Sequence, residues 1–596
     1  MSSTCRQGKR GQVGDPLVID QRLLAIARGD ESADLLVAGG RVVNVFSGEI
    51  LEANVAVHLG EGSGRIAGVG DYTRASRIVD VAGSFIAPGF IDAHMHVEST
   101  MLPPSEFVKL AAPHGTTGAV FDPHEIANVL GIPGVEWLMD DAHGIPLNAM
   151  FALSSCVPSS HLETSGARIE AADLEPLFDD PRVVALAEMM NYPGVVNASP
   201  DVLAKVSLGL RCHVVDGHAP GLTGTALQAY VAAGISSDHE CTTAAEAVEK
   251  LRLGMRIFIR EGSAARNLRA LLPVVNESNK HRFSFCTDDR HPGDLADEGH
   301  IDHVVRMAIS LGLPPVSAIA MASLYTAQHY RRADLGAVAP GYLADLIVFD
   351  DLREPRPRLV FVHGLLVARD GAYIAPDRPT PMLPPPPSGV HLPPDFAASS
   401  FRIASTKGPG AAIRVIGIDP HQIVTRSLIM PARSENGTHI ADPSRDLLKF
   451  AVIERHRGRG NIGLGFVQGF GFHTGAIAST VGHDAHNLAI VGTDDADMAM
   501  AAHALASVGG GQCVVRGGRV LGLLPLPIAG LMSDRPAAAV IRQQRDLLAA
   551  AAQLGCSCPD PFMPLSFLAL PVIPALKLTD LGLVDVNKFV IVPLEV

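Results

Sequence analysis

Long apolar runs are missing from this chain. The most apolar late stretch, Val520 to Met532, is broken by Pro525 and Pro527. No segment reaches the roughly 18–20 apolar residues needed to cross a bilayer, so no membrane span is expected. The first residues, Met1 to Asp15, carry Arg6, Lys9 and Arg10 with no apolar core behind them, unlike a secretory signal. Cysteine is scarce and irregularly spaced: eight in 596 residues, the pattern of reduced thiols in a cytoplasmic protein. Cys556 and Cys558 stand two apart, but no second pair or nearby histidine completes a metal motif. Positive charge is also short, with 48 Lys and Arg against 62 Asp and Glu and a net charge of −14. That balance offers no general field for nucleic acid or anionic lipid, and the expected partner is a small molecule.

What is present describes a well-buried globular chain, 47% hydrophobic and 18% charged. Its length predicts two to four domains. Residues 1–32 read as an extension with a short helix near Arg22 to Gly29. Strand-rich runs with glycine turns follow at Asp34–Gly40, Arg41–Val45 and Ala53–His58, and a matching pattern returns at Gly336–Phe349 and Leu359–Gly364. These blocks, 33–84 and 336–374, are expected to form one β-sheet domain interrupted by the residues between them. A proline-rich stretch, 375–398, reads as an extended linker. Residues 399–596 read as a separate α+β domain, with β-rich runs at Ala411–Ile418, Gly463–Phe470 and Gly511–Leu524.

The central region, 85–335, alternates strands and helices. Eight candidate strands are Phe85–His96, Thr117–Asp122, Leu147–Ser154, Val183–Met189, Leu210–Asp216, Gly234–Asp238, Arg256–Arg260 and Arg282–Thr287. Eight such units over about 250 residues predict an α/β fold with a closed (β/α)8 TIM-like barrel. A doubly wound sheet would need a Gly-rich phosphate turn after its first strand, and none is there.

The chemistry gathers at strand ends. Ala87-Pro88-Gly89-Phe90-Ile91-Asp92-Ala93-His94-Met95-His96 is an apolar strand ending in two histidines one residue apart. Strand alternation places both on one face, within reach of one ion. Later strands end in Asp122-Pro123-His124-Glu125, Glu188-Met189-Met190-Asn191, Asp216-Gly217-His218, Ser237-Asp238-His239-Glu240 and Thr287-Asp288-Asp289. Each residue alone has a plain structural explanation as surface or helix cap. Together they would ring one mouth of the barrel with the ligand types of Zn²⁺, Fe²⁺ or Mn²⁺. They divide between two ions: His94, His96 and Asp288 for one, His218 and His239 for the other, and Glu188 between them. A paired site of this kind makes a hydroxide nucleophile near neutral pH, with Asp288 placed to take its proton.

The sheet that brackets the barrel, the Pro-Gly-Phe-Ile-Asp-x-His-x-His run and the last-strand aspartate resemble the amidohydrolase superfamily of metal-dependent hydrolases. Many members bridge their metals with a carboxylated lysine on strand four. This chain has no lysine between Lys109 and Lys205, and Glu188 takes that place. With that feature the chain is similar to the bacterial adenine deaminases. Further matches are His96-Val97-Glu98-Ser99, Asp122-Pro123-His124-Glu125, Gly217-His218-Ala219-Pro220-Gly221-Leu222, Gly475-Ala476-Ile477-Ala478-Ser479-Thr480 and Leu524-Pro525-Leu526-Pro527-Ile528-Ala529-Gly530-Leu531. His483-Asp484-Ala485-His486-Asn487 also matches, although Ala485 stands where the family often has serine. The resemblance implies hydrolytic deamination of adenine to hypoxanthine and ammonia by a metal-bound hydroxide, with manganese or iron favoured and zinc allowed. Protonation of N1 and of the leaving amine requires an acid. Glu125 is the first candidate, with Asp289 and Glu240 behind it, although Glu125 would equally serve as a helix cap. His483, His486 and Asn487 are expected to help close the pocket. A homodimer is expected, that being the commonest assembly. The competing readings are a deaminase of an N6-substituted purine, a cyclic amide hydrolase of the dihydroorotase or hydantoinase type, and an inactive barrel kept for binding. The zinc deaminases that act on nucleic acid are excluded, because no Pro-Cys-x-x-Cys exists here.

Overall fold

Phe90–Met95 begins a row of eight parallel strands. We number them β1 (Phe90–Met95), β2 (Thr116–Phe121), β3 (Asn148–Leu153), β4 (Val183–Met189), β5 (Val214–Gly217), β6 (Ser237–Asp238), β7 (Arg256–Arg260) and β8 (Phe283–Cys286). Strands β1 to β5 pair in sequence order as one sheet and β6 to β8 as another, every pair parallel. The row curls on itself. At one seam the Ser236 N–H donates to the Val215 carbonyl at 3.0 Å. At the other the Asp288 N–H donates to the His94 carbonyl at 3.0 Å, and the His96 N–H donates to the Asp288 carbonyl at 3.1 Å. Ile91, Val120, Met150, Ala187, Phe258 and Cys286, drawn from six of the strands, share one buried cluster. The structure is a computed structural model that describes residues 20–60, 63–263, 265–376, 383–418 and 423–596.

Each of the eight expected strands corresponds to one of these, with three differences. The first expected strand is two. Phe85–Pro88 pairs antiparallel with Leu346–Phe349 and parallel with Ala33–Val43, in another sheet altogether. The break falls at Gly89, where a Cβ would stand 2.1 Å from the Thr117 hydroxyl oxygen. The chain passes too close to β2 for any side chain, and it changes sheets at that point. Leu210 to Cys212, expected to open β5, belong instead to the helix Pro200–Cys212. Strand β6 is cut to two residues.

The bracketing sheet has nine strands. Ala33–Val43, Ile50–Leu59, Gly64–Gly70, Ala75–Asp80 and Phe85–Pro88 join Leu346–Phe349, Leu359–Val362, Leu365–Arg369 and Ala372–Tyr373. Strands from both ends of the central region therefore lie in one sheet. Of the expected N-terminal extension, residues 1–19 lie outside the described residues. The helix Gln21–Ala27 is present, and the Asp20 carboxylate caps it by accepting from the Arg22 and Leu23 N–H groups at 3.0 and 3.1 Å.

Part of the proline-rich stretch, 377–382, also lies outside the described residues. Its later half is seated, not free: Val390 and Phe396 are buried, and Arg455 donates to the Gly389 carbonyl. Beyond it an eight-stranded sheet runs from Thr425–Pro431 to Arg519–Pro525. The helices Asp495–Val508 and Ala537–Ala552 are each buried along one face. The run expected as Gly511–Leu524 is a hairpin, Gly511–Arg516 and Arg519–Pro525, turning at Gly517 and Gly518, both with positive φ. Among the described residues no helix is long and apolar enough to cross a membrane. The six cysteines whose side chains are described are unpaired, and Cys556 and Cys558 donate to the Phe470 and Asp560 carbonyls.

Candidate active site

The carboxyl ends of the parallel strands converge on the Glu188 carboxylate, at the end of β4. One oxygen, Oε1, lies 3.3 Å from His96 Nε2 and 3.2 Å from His124 Nδ1. The other, Oε2, lies 2.6 Å from His218 Nδ1 and 3.0 Å from His239 Nε2. One carboxylate thus stands between two sets of imidazoles. His94 joins through His239, the two rings stacking at 4.2 Å, and its Nε2 is 4.0 Å from Asp288. Asp288 also faces His96 Nε2 at 3.2 Å and pairs with Arg260. Its backbone is left-handed, φ 58°, a conformation costing about 1–2 kcal/mol away from glycine. Asp92 holds that turn by accepting from the Thr287 hydroxyl at 2.6 Å and the Thr287 N–H at 3.2 Å.

The electrostatics favour cations here. Burial opposes ionisation of Glu188, yet the His218 charge and hydrogen bonds from His124, His218 and His239 hold its carboxyl well below the usual range. Burial also works against Asp288, and the Arg260 guanidinium outweighs it. His239 is pushed up to about 9: burial lowers it, but the hydrogen bond and charge of Glu188 win. His94 moves the other way, well below its ordinary value, because it is buried beside His239. His94 Nε2 and His218 Nε2 are buried without hydrogen-bond partners. Buried ring nitrogens left without a hydrogen-bond partner in a cluster of carboxylates fit a divalent ion. Glu188, His218 and His239 bring their ligand atoms within 4.8 Å of one another, as do His94, His239 and Asp288.

A narrow cleft opens over this cluster. Its polar wall holds His96, His124, Glu188, His218, Glu240, Arg260, Asp288, Asp289, His483 and Asp484. Its apolar wall is Met190, Ile423, Phe567, Leu570 and Ile573. The expected residues His94 and His239 sit behind that wall. Glu125 does too: it is fully buried with its carboxyl 2.6 Å from the Ser99 hydroxyl oxygen, so it is not a direct contact at the cleft. The same hydroxyl lies 2.6 Å from Asp289, which does face the cleft. Of the three residues expected to close the pocket, only His483 reaches it. His486 Nε2 lies 3.9 Å from Glu125. Asn487 is turned away, donating to the Thr164 carbonyl at 2.9 Å and accepting from the Arg455 N–H.

Eight wall residues have no role assigned from the sequence, among them the aliphatic Met190, Ile423, Leu570 and Ile573. His124 and Asp484 stand inside motifs quoted above, and each follows the same signal as its neighbours, a polar residue beside an established candidate. Arg260 was legible as a charged residue ending an apolar strand. It is buried and forks onto Glu240 at 2.5 and 3.0 Å. Phe567 left no signal, since one aromatic in an apolar helix looks like any other.

The apolar wall is pinned by Lys577. Its ammonium is fully buried with no carboxylate beside it among the described residues and donates to the Ile423 and Phe567 carbonyls, both at 2.9 Å. Burial lowers its pKa to about 7. Between about pH 7 and 10.5 the unfolded chain holds a proton there that the folded chain does not, so this group's contribution to stability rises with pH across that window. The thermal midpoint of wild type should therefore gain on that of Lys577→Met from pH 6 to 9. A difference independent of pH would show that the group does not titrate in that range.

The curled parallel sheet and its ring of histidines and carboxylates define a metal-dependent amidohydrolase. In agreement, the amidohydrolase family sequence model matches residues 85–367, and that of the adenine deaminase C-terminal domain matches residues 422–590. An adenine deaminase of Desulfatibacillum aliphaticivorans is 49% identical over 575 residues, covering 96% of this chain and 99% of its own. One from Methanothrix thermoacetophila is 48% identical over 573 residues, with the same two coverages. One from Kosmotoga olearia is 44% identical over 572 residues, covering 95% and 98%. The chain belongs to the adenine deaminase family.

Proposed function

We propose that this enzyme hydrolyses adenine at C6, releasing ammonia and leaving hypoxanthine, in the cleft above Glu188. The observation that carries the reading is the match at 44–49% identity to adenine deaminases over nearly the full chain. A flat purine suits a cleft with one apolar wall, formed by Met190, Phe567 and Leu570, and one wall of carboxylates and imidazoles.

His94, His96 and Asp288 would hold one divalent ion, His218 and His239 a second, with Glu188 between them. His and carboxylate sites accept manganese, iron and zinc, and the family resemblance favours manganese or iron. When bound, such ions supply a water activated for attack near neutral pH. Asp288 is the group that takes the proton as the water oxygen bonds to C6. Glu240 and Arg260 fix Asp288 from behind.

The acid is read from the Ser99 hydroxyl. It has one hydrogen and two carboxyl oxygens at 2.6 Å, so one of those two groups must itself be protonated. Burial, and then the charge of Glu98, push Glu125 well above the usual carboxyl range, which makes Glu125 the proton's holder. Glu125 donates to Ser99, Ser99 donates to Asp289, and Asp289 presents the proton at the cleft. That proton goes to N1 as water adds; the proton Asp288 took from the water goes to the amine, which leaves as ammonia, and the C6 hydroxyl proton returns through Asp289 and Ser99 to Glu125 as the carbonyl forms. Ser99→Ala should cut kcat by about 100-fold, in the usual range for a lost acid–base path, with KM and metal content held. An unchanged kcat would remove the relay.

Around this chemistry we read a closed (β/α)8 barrel, with its strands beginning at Phe90, and a discontinuous β-sheet domain that also includes Phe85–Pro88. The C-terminal α+β domain begins near residue 399. The assembly is read as a homodimer, working in the cytoplasm. Incubating the protein with adenine and with N6-methyladenine separates the two purine readings. Ammonia from the first and little methylamine from the second is expected. The reverse preference would move the assignment to a substituted purine.

A further inference from the structure

A second set of ligand-type side chains faces the same cleft outside the Glu188 cluster. We propose that His124, His483 and Asp484 hold a third divalent ion, of the zinc class, tying the end of β2 to the C-terminal domain. This goes beyond the paired site described above and does not depend on which purine is the substrate.

The argument begins with His124. Its Nδ1 lies 3.3 Å from Asp122 Oδ2 and 3.2 Å from Glu188 Oε1. Both are carboxylate oxygens that only accept, so Nδ1 carries a ring proton and Nε2 is the nitrogen free to bind an ion. That Nε2 is buried without a hydrogen-bond partner and lies 3.6 Å from Asp484 Oδ1, while Asp484 Oδ2 is buried without a partner as well. A buried ring nitrogen and a buried carboxylate oxygen, each without a hydrogen-bond partner, can take a divalent ion in place of the Nε2 proton.

His483 completes the set. The three residues bring ligand atoms within 4.8 Å of one another. Nitrogen and oxygen ligands about 2.1 Å from a tetrahedral ion stand roughly 3.4 Å apart, so a small closure gathers all three. All are at least nine-tenths buried, at 3%, 4% and 2% exposure. The His483 ring is steadied by stacking on Phe567 at 4.5 Å. The carboxylate of Asp122 behind His124 is the usual support that fixes a ligating imidazole. Two imidazoles and one carboxylate are a donor set for zinc, with a fourth position left towards the cleft that all three residues line. Because one ligand comes from the β2 end and two from beyond residue 475, the ion would stabilise the contact between those regions.

The test is metal counting on the full chain, stripped with chelator, reloaded with Zn²⁺ and desalted. Wild type should retain about three ions per chain, Asp484→Asn and His483→Gln about two each, and Glu188→Gln about one. Zn²⁺ should still raise the thermal midpoint of Glu188→Gln, and should fail to do so once Asp484→Asn is added. Saturation of wild type at two ions would overturn the proposal. So would wild-type metal content in both Asp484→Asn and His483→Gln, or a folded Glu188→Gln that retains none. If Glu188→Gln keeps its metal while Asp484→Asn loses one ion, the third site stands and the paired-ion reading falls.

Discussion

Changing Glu188 to glutamine should strip the proposed paired ions from the enzyme and lower kcat at least about a thousandfold, equivalent to about 4 kcal/mol of transition-state stabilisation. The two oxygens of this carboxylate face different imidazoles: Oε1 faces His96 and His124, and Oε2 faces His218 and His239. An amide keeps the shape but replaces one anionic oxygen with a donor, so one set loses its ligand and the other its charge. Neighbouring side chains cannot substitute, because Asp288 is already engaged by Arg260. Metal analysis and steady-state kinetics on the same preparation check this together. Normal metal content with reduced rate would demote Glu188 to a positioning role. Normal values for both would remove it from the site.

The second large effect is on stability. Arg260 is buried, and its guanidinium serves both Glu240 and Asp288. Arg260→Met leaves two carboxylates facing each other without their cation. Breaking a buried pair in this way costs about 3–5 kcal/mol, so the thermal midpoint should fall by several degrees. Arg260→Lys should fall between the two, since an ammonium restores the charge but not the fork that reaches both partners. Differential scanning calorimetry of the three proteins decides it. Equal midpoints would mean that the carboxylates are neutralised by some other group.

These effects differ in how far the sequence foretold them. The paired strand-end ligands were legible because strand alternation and apolar runs are local properties. His94 and His96 sit two residues apart on one strand, and no distant contact is needed to see that they share a face. Glu188 was legible as the carboxylate ending the fourth strand, and the family resemblance put it in the bridging place because β4 has no lysine. Gly89 hid a change of sheet, because the reason for it lies in Thr117, on another strand. Arg260 and Asp484 were visible as charged residues, yet their roles depend on which partners the fold brings to them. Asn487 shows the opposite failure. Its motif placed it with the pocket, while a contact to Thr164, far away in the chain, turns its side chain elsewhere. Glu125 is intermediate, at the expected strand end but one hydroxyl removed from the cleft.

One measurement bears most directly on the central claim. Chelator-treated protein, reloaded with Mn²⁺, is incubated with adenine, and ammonia and hypoxanthine are followed together, with dihydroorotate and hydantoin in parallel. The account predicts equal amounts of ammonia and hypoxanthine from adenine, dependent on the added metal, and no opening of either cyclic amide. No ammonia from adenine, with ring opening of dihydroorotate or hydantoin, would contradict it.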